Sequence, residues 1–372
     1  MFLQKLSLLN FKNYEDAELS FSKGANAFVG GNAEGKTNLL DAIHYLAMCK
    51  SYFNPIDTQN IKHDGDFFVV QGTFVLANNE ENIYCGLKRN QRKVFKRNQK
   101  EYERLADHIG LFPVVMISPT DTGLITEGSE ERRKFIDSII AQFDRQYLED
   151  LIHYNKVLSH RNSLLKQFSQ SGKFDQSSLE IWDEQLIAFA EKIYSKRIEF
   201  TNRFLPIFRK YYQYISGDKE HVSVVYESHL NNGDFGNLLK EVLEKDRIMR
   251  YSTAGIHKDD LLFTIENYPV KRFASQGQQK SFLIALKLAQ FDFVKDVKKM
   301  KPVLLLDDVF DKLDETRVKR LMELVSNDNF GQIFITDAHP ERVSKIFDDI
   351  QIPLRTFVVK NGTVDFSNTL AV

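Results

Sequence analysis

A glycine-rich motif near the start of the chain constrains its fold more than any other feature. The residues of the motif are Gly30, Gly31, Asn32, Ala33, Glu34, Gly35, Lys36 and Thr37. Their order fits G-x-x-x-x-G-K-[ST], in which backbone N–H groups converge on a phosphate. An apolar run precedes the motif, and apolar residues recur at helical spacing after it. The sequence therefore predicts an α/β fold in which a strand, a phosphate-binding loop and a helix follow one another.

The polar residues of this loop are predicted to hold a nucleoside triphosphate. The helix that begins near Lys36 points the positive end of its dipole at the phosphates. We expect Lys36 to contact the β- and γ-phosphates, Thr37 to ligate Mg²⁺ through its hydroxyl, and Asn38 to border the same site. ATP and Mg²⁺ are the expected cofactors. A glycine turn without a ligand is the alternative interpretation of the motif taken alone.

A second motif, far along the chain, supplies the acidic side chains that such a site needs. Four apolar residues, 303–306, are followed by Asp307 and Asp308. A continuous apolar run is typical of a buried parallel strand, and ligands of α/β sheets lie beyond the carboxyl ends of strands. We expect Asp307 to hold Mg²⁺ through its water shell and Asp308 to act on the attacking water as general base. Taken alone, this motif is equally compatible with an ordinary strand end.

A serine-capped helix is predicted just before that strand. Ser275 suits a helix N-cap, and Gly277 lets a phosphate approach the helix closely. We expect Ser275, Gly277 and Gln278 to contact a nucleotide, and a plain N-cap with a polar first turn is the alternative. Because the segment stands next to the Asp-Asp strand and far from the phosphate loop, it resembles the signature of ABC-type ATPases. That signature covers the γ-phosphate held by a second subunit.

Two further segments resemble motifs of ABC-type ATPases. Residues 311–314 read Asp-Lys-Leu-Asp, which resembles the D-loop at the dimer seam. The strand predicted at 332–336 is followed by Asp337 and His339. ABC-type ATPases place a switch histidine where this chain has Asp337, and His339 comes two residues later. A γ-phosphate sensor and an ordinary loop histidine are both compatible with this sequence.

Changes of pattern along the chain predict an ATPase lobe interrupted by a helical arm. Apolar and aromatic residues at three- and four-residue spacing from Glu130 to about Arg250 are typical of long helices. Strands and helices alternate in the segments before and after this helical region. We expect an N-terminal part of the lobe (1–120) that carries the phosphate loop, the arm (121–250), and a C-terminal part (251–372) that carries the signature segment and the Asp-Asp strand.

A nucleic-acid surface on this chain can only be local, because the formal net charge is -1. The densest basic run contains Lys88, Arg89, Arg92, Lys93, Lys96, Arg97 and Lys100. Contact with DNA phosphates and a solvated hairpin rim both remain compatible with this run. Cys49 and Cys85 have no metal-ligand spacing, no signal-peptide core is evident, and no apolar run could span a bilayer. We therefore expect a cytoplasmic protein without a membrane partner.

The chain also resembles the RecF family of bacterial recombination mediators over nearly its whole length, and that family is similar to the heads of Rad50 and SMC proteins. The segments that carry the resemblance are 9–14, 35–40, 128–137, 158–165, 255–260 and 275–280. The arm segments, 128–137 and 158–165, are specific to this family, whereas the ATP motifs occur in many other proteins. Asp308 departs from it, because RecF proteins generally have glutamate there, and its carboxylate reaches one methylene less far.

The resemblance implies an ABC-type ATPase head that acts as a weak, DNA-stimulated ATPase. In such proteins ATP closes a homodimer clamp on double-stranded DNA beside single-stranded gaps, and hydrolysis reopens it. The implied partners are RecO and RecR, with RecA loaded in gap repair, replication fork maintenance and the SOS response. Another ABC-class or SMC-like head that does not act in RecA loading is the alternative. A transporter subunit is disfavoured by the helical insertion, and a scaffold with structural ATP remains open.

Overall fold

The secondary structure of this computed structural model is described for residues 1–217, 220–310, 315–326 and 330–367, so the predicted D-loop at 311–314 lies outside the described residues. The strands are β1 (Phe2–Phe11), β2 (Tyr14–Ser20), β3 (Ala25–Val29), β4 (Phe67–Leu76), β5 (Asn79–Lys88), β6 (Val94–Arg97), β7 (Lys100–Glu101), β8 (Val114–Ile117), β9 (Val222–Glu227), β10 (Asp260–Ile265), β11 (Tyr268–Pro269), β12 (Val303–Asp307), β13 (Ile333–Asp337), β14 (Leu354–Lys360) and β15 (Thr363–Ser367). The helices are α1 (Lys36–Met48), α2 (Gly123–Thr126), α3 (Ser129–Ala141), α4 (Arg145–Ser171), α5 (Gln176–Ser216), α6 (Phe235–Glu241), α7 (Leu243–Met249), α8 (Val270–Phe273), α9 (Gln276–Lys298), α10 (Glu315–Ser326) and α11 (Pro340–Asp349).

The strands form three sheets within the described residues. One sheet has the order β2-β1-β4-β5-β6-β7 and is antiparallel. The second has the order β15-β14-β3-β13-β12-β8, and all its pairs except β14 with β15 are parallel. Strands β3, β12 and β13 are buried along their whole length, which explains their unbroken apolar sequences. The third sheet has the order β11-β10-β9.

The chain divides into two compact units. The first contains Met1–Thr122, Tyr211–Asp218 and Gln276–Val372, and the second contains Gly123–Lys210 and Lys219–Ser275. The first unit is therefore built from both ends of the sequence, and the predicted α/β class is confirmed. Residues 251–275, which the sequence pattern grouped with the ATPase lobe, lie in the second unit, where β10 pairs with β9.

Helix α1 lies between the two large sheets of the first unit. It contacts strands of both sheets, and its side chains from Leu39 to Met48 are all buried. A helix that is buried on every side cannot shift without disturbing the core around it. The core thus fixes the position of the N-terminus of α1, where the phosphate loop ends.

The prediction of helices throughout 130–250 is wrong at Val222–Glu227, which forms strand β9. Val222, Val224 and Tyr226 are buried while the residues between them are not. This period of two is typical of a strand with one buried face, and it was visible in the sequence. Among the described residues, the structure contains no helix with the length and apolar character needed to cross a membrane.

A buried arginine on α5 joins several elements of the second unit. The side chain of Arg197 is 2% exposed, and its guanidinium lies 2.9 Å from Asp137 and 2.8 Å from Asp259. The hydroxyls of Tyr147 and Tyr226 donate hydrogen bonds to these two carboxylates. Burial raises the pKa of Asp259, and the charge of Arg197 is the largest influence that lowers it. Segments 128–137 and 255–260, which both carry the family resemblance, thus meet at one internal cation.

We expect Arg197→Met to lower the free energy of unfolding by about 3–5 kcal/mol, because it leaves the buried Asp259 and the partly buried Asp137 without their cation. Urea denaturation followed by circular dichroism measures the change. Arg203→Met is the matched control, since Arg203 is an exposed arginine on the same helix. The control should stay within about 0.5 kcal/mol of the unchanged protein. Equal stability of the two variants would contradict the structural role of Arg197.

Candidate functional site

The predicted phosphate loop connects the end of β3 to the start of α1. Gly30 and Gly35 have φ angles of 149° and 119°. A Cβ atom on Gly30 would lie 2.2 Å from the carbonyl oxygen of Val359, and one on Gly35 would lie 2.5 Å from Nδ2 of Asn13. The backbone at both positions therefore has a conformation and a closeness to its neighbours that only glycine allows.

Side chains from the β1–β2 turn, from the start of β2 and from α1 fix the shape of the loop. Asn13 donates through Nδ2 to the carbonyl oxygen of Glu34 at 2.9 Å. The hydroxyl of Tyr14 donates to the carbonyl oxygen of Gly35 at 3.1 Å. Asn38 donates to Oδ1 of Asn13 at 2.7 Å. The exposed part of the loop consists of Gly31, Asn32 and Ala33. The hydrogen-bonded part of the loop is fixed in shape, while its exposed part is open to a ligand from solvent.

Lys36 lies under this loop and is only 8% exposed. Its ammonium group donates to the carbonyl oxygens of Gly30 at 2.8 Å and Gly31 at 2.6 Å. Burial lowers the pKa of Lys36, and nearby negative charges oppose that shift. Those charges belong to Asp308, Asp307, Asp337 and Glu34. The site thus combines a cation held against the loop with a group of carboxylates around it.

Asp307 ends strand β12 among three hydroxyl groups. Its Oδ1 accepts hydrogen bonds from Thr37 and Thr336, each at 2.8 Å, and its Oδ2 accepts one from Ser118 at 3.2 Å. Burial raises the pKa of Asp307, while these hydrogen bonds oppose the shift. The structure therefore brings Thr37 and Asp307, the two predicted magnesium ligands, into direct contact.

The oxygen atoms at Asp307 fit a magnesium ion that takes its remaining ligands from nucleotide and water. A carboxylate and a hydroxyl are hard oxygen donors, and Mg²⁺ commonly binds one or two protein oxygens together with phosphates and waters. In the part of the chain that the structure describes, no three His, Cys, Asp or Glu side chains gather as an all-protein metal site would require. Thr37 and Asp307 are the residues that would hold the ion.

Asp308 follows with a φ angle of 51°, in the left-handed region. This conformation costs a residue other than glycine roughly 1–2 kcal/mol. The backbone N–H of Asp308 donates to Oγ1 of Thr336 at 3.0 Å, which stabilises it. Among the charges that raise the pKa of Lys36, that of Asp308 has the largest effect. The predicted general base therefore lies at the same edge of the sheet as the loop lysine.

The two predicted switch residues have different surroundings. Asp337 is fully buried at the end of β13, where it accepts hydrogen bonds from Arg342 at 2.6 and 2.9 Å and from the backbone of His339 at 2.7 Å. His339 is exposed, and it caps α11 without a side-chain hydrogen bond. Asp337 is thus occupied in holding the strand end, while the imidazole of His339 faces solvent.

The predicted signature residues lie at the start of α9. Ser275 directly precedes this helix and is exposed, and Gly277 and Gln278 are in its first turn. A Cβ atom on Gly277 would lie 2.7 Å from Nη1 of Arg317. A larger residue at 277 would therefore have to displace the guanidinium of Arg317, a neighbour that the sequence motif did not indicate.

The structure divides the predicted basic run into internal and exposed cations. Lys93 donates to Asp57 and to the carbonyl oxygen of Cys49, each at 2.7 Å, and so stabilises the C-terminal end of α1. Arg97 makes two hydrogen bonds of 2.8 Å to Glu81. The exposed members are Lys88, Arg89, Arg92 and Lys100, while Lys96 is half-buried over the ring of Tyr84. Two of the seven cations in this run, Lys93 and Arg97, therefore already have carboxylate partners inside the fold.

Sequence reasoning missed several residues that complete the site. Ser118 contacts Asp307 through its hydroxyl, and its backbone N–H donates to Asp121 at 2.8 Å. Asp121 in turn pairs with the buried Lys287 of α9 at 2.8 Å. The available signal was position, because Ser118 follows the apolar strand β8 as Asp307 ends the apolar strand β12. A polar residue there lies at the ligand-binding edge of the sheet.

Comparisons with known proteins agree with this geometry. The sequence matches the family described as RecF/RecN/SMC N terminal domain over residues 2–363. It is 51% identical over 366 residues to the DNA replication and repair protein RecF of Phocaeicola vulgatus, covering 98% of each chain.

A solved structure of the recombination mediator protein RecF with ATP in the RecFOR pathway is 32% identical to this chain, with a TM-score of 0.89. The match covers 98% of this chain and 97% of that chain. The Smc head domain from Pyrococcus furiosus, 17% identical with a TM-score of 0.58, shares the fold over 98% of this chain and 96% of its own. The predicted ATPase-head fold is confirmed.

Proposed function

Because this chain belongs to the RecF family of DNA replication and repair proteins, we propose that it binds ATP at the phosphate loop and acts in DNA repair. The observation that carries the proposal is the 2.8 Å hydrogen bond from Thr37 to Asp307, which are 270 residues apart in the sequence. It joins the loop that would receive phosphates to the strand end that would hold their magnesium ion. A glycine turn without a ligand would not need this partner.

The roles of the side chains follow from their positions. Lys36 would donate to oxygens of the β- and γ-phosphates, for which its ammonium group is already placed beneath the loop. A bound Mg²⁺ ion supplies positive charge that offsets the charge of the phosphate oxygens. Asp308 would accept the proton of the attacking water as general base. Thr336 supports both steps, because its hydroxyl contacts Asp307 and the backbone of Asp308.

The same proposal includes a nucleotide-dependent homodimer. Ser275 is exposed at the start of α9, where the helix dipole favours a negatively charged ligand. In a two-fold dimer, each Ser275 would reach the γ-phosphate held by the other copy, together with Gly277 and Gln278. Closure would then require ATP in both sites, and hydrolysis would open the dimer. ATP hydrolysis would be slow, would be stimulated by DNA, and would convert the closed dimer to the open form.

We further place this dimer on double-stranded DNA beside single-stranded gaps. The name of the relative from Phocaeicola vulgatus and the RecFOR pathway of the solved RecF structure support this assignment. RecR and RecO would be the partners, and RecA the recombinase loaded, in gap repair, replication fork maintenance and the SOS response of the cytoplasm. Lys88, Arg89 and Arg92 are exposed and would contact the DNA phosphates. The alternative is an SMC-like ATPase head without a role in RecA loading.

Ser275→Arg is expected to keep ATP binding and to lose ATP-dependent dimerisation, because the larger cation would occupy the space of the opposed phosphate. Multi-angle light scattering would give the molecular mass of the unchanged protein and the variant with ATP, with ADP and without nucleotide. Only the unchanged protein with ATP should show twice the mass of the 43.2 kDa chain. The same runs with a gapped duplex would show whether the dimer is the form that holds DNA.

Ser171→Arg is a matched control, since Ser171 is an exposed serine at the end of α4. It should dimerise as the unchanged protein does. If the unchanged protein with ATP stays monomeric at high concentration, even with duplex present, the proposed switch is wrong. If ATP-loaded Ser275→Arg dimerises normally, the role of Ser275 is wrong.

A further inference from the structure

One of the carboxylates around the phosphate loop is fully buried and belongs to the neighbouring strand. Asp337 ends β13, where it pairs with Val29, the last residue before the loop. The side chain of Asp337 has no exposed surface. Its charge is one of those that oppose the lowering of the pKa of Lys36. A negative charge is therefore enclosed at the edge of the sheet that would receive phosphates.

Asp337 lies close to the part of the site where the terminal phosphate would be. Thr336, the residue before it, donates through its hydroxyl to Asp307 and accepts the backbone N–H of Asp308. In the proposed function, Asp307 would hold Mg²⁺ and Asp308 would act on the water that attacks the γ-phosphate. Like charges in a protein interior are weakly screened and repel each other strongly. An uncompensated carboxylate at residue 337 would thus oppose a triphosphate more than a diphosphate.

Arg342 of α11 supplies the compensating charge. Its Nε donates to Oδ2 of Asp337 at 2.9 Å, and its Nη2 donates to the same oxygen at 2.6 Å. The backbone N–H of His339 donates to the other oxygen, Oδ1, at 2.7 Å. Within the described ranges of the chain, both hydrogen bonds of the Arg342 side chain go to Asp337. The arginine is 35% exposed, so its replacement by another polar residue leaves no buried cavity.

We infer that Arg342 is a positioning residue for the nucleotide: it holds and neutralises Asp337, and so allows the γ-phosphate to occupy this edge of the sheet. The inference rests on the proposed function and gives a part in it to a residue that would not itself touch ATP. A purely structural anchor between β13 and α11 would need the ion pair with or without nucleotide. A neutralising role needs the arginine only while residue 337 is negatively charged. The two roles therefore differ in the effect of a neutral residue at 337.

Calorimetric titration with Mg²⁺ and either ATPγS or ADP tests the inference. Arg342→Gln should weaken ATPγS binding by about tenfold or more and ADP binding by about threefold or less, because the unpaired carboxylate would lie nearest the γ-phosphate. In Arg342→Gln with Asp337→Asn, ATPγS affinity should return to within about threefold of the unchanged protein, although this variant also lacks the ion pair. Arg342→Lys keeps the positive charge and should lose less than about threefold.

Lys345→Gln is the matched control, because Lys345 is an exposed cation on the same helix. It should bind both nucleotides as the unchanged protein does. Thermal unfolding without nucleotide shows which variants are folded. If Arg342→Gln does not fold, Asp337→Asn alone provides the test, and it should bind ATPγS at least as tightly as the unchanged protein.

An ATPγS affinity of folded Arg342→Gln within about threefold of the control would overturn the inference. A double variant that binds as weakly as Arg342→Gln would also overturn it, because the arginine would then be a structural anchor. The same holds if Asp337→Asn loses affinity for ATPγS. Each of these results leaves the proposed function intact, whereas an unchanged protein that binds neither nucleotide would overturn the proposed function itself.

Discussion

Lys36→Ala is expected to weaken ATP binding by about 100-fold or more. The ammonium group of Lys36 already donates to two loop carbonyls, at 2.8 and 2.6 Å, so little reorganisation separates it from phosphate oxygens at the same loop. Hydrogen bonds to charged groups contribute roughly 1.5–3 kcal/mol each, and two of them correspond to at least about a hundredfold in affinity. Alanine also leaves the surrounding carboxylates without their cation.

Calorimetric titration with ATP and Mg²⁺ measures this effect. Lys173→Ala is the matched control, because Lys173 is exposed after the end of α4 and should bind ATP as the unchanged protein does. Circular dichroism of both variants would show that the fold is retained. An ATP affinity of Lys36→Ala within about threefold of the control would refute the assignment of the loop.

Asp308→Asn should slow ATP hydrolysis by about 10²–10⁴-fold while the dimer still forms with ATP. The amide cannot accept the proton of the attacking water. Asparagine nevertheless tolerates the left-handed conformation of residue 308, so the backbone bond to Thr336 is expected to persist. The effect should therefore appear in the chemical step and leave nucleotide affinity nearly unchanged.

Single-turnover hydrolysis with and without gapped duplex separates this step from product release. Asp308→Glu is the informative companion, because it keeps a carboxylate and adds one methylene of reach. It should hydrolyse ATP far faster than Asp308→Asn. Turnover of Asp308→Asn within a few-fold of the unchanged protein would remove Asp308 from the role of general base.

The sequence was most informative where chemistry depends on local spacing. The loop from Gly30 to Thr37 has a fixed order of residues, because a turn around a phosphate needs glycine at set positions. Asp307 could be assigned because it follows an unbroken apolar strand. Its contact with Thr37 then follows from the parallel order of β3, β13 and β12.

Other parts of the site could not be predicted from spacing. Ser118 and Thr336 are single hydroxyl residues at strand ends, and their partnership with Asp307 depends on which strands are neighbours in the sheet. Lys93 looked like a DNA contact because charge density alone does not reveal a partner such as Asp57, which is 36 residues away. In each case a tertiary contact sets the role of the residue, and spacing in the sequence does not reveal that contact.

The order of strands in the parallel sheet also affects how this chain is made in the cell. Strand β3 lies between β13 and β14, which are translated some 300 residues after it. At about 5–20 residues per second, β3 would wait about 15 to 60 seconds for its first neighbour. During that time β3 would lack both of its hydrogen-bonded neighbours. The parallel sheet that brings Asp307 to Thr37 can therefore assemble only when synthesis is almost finished.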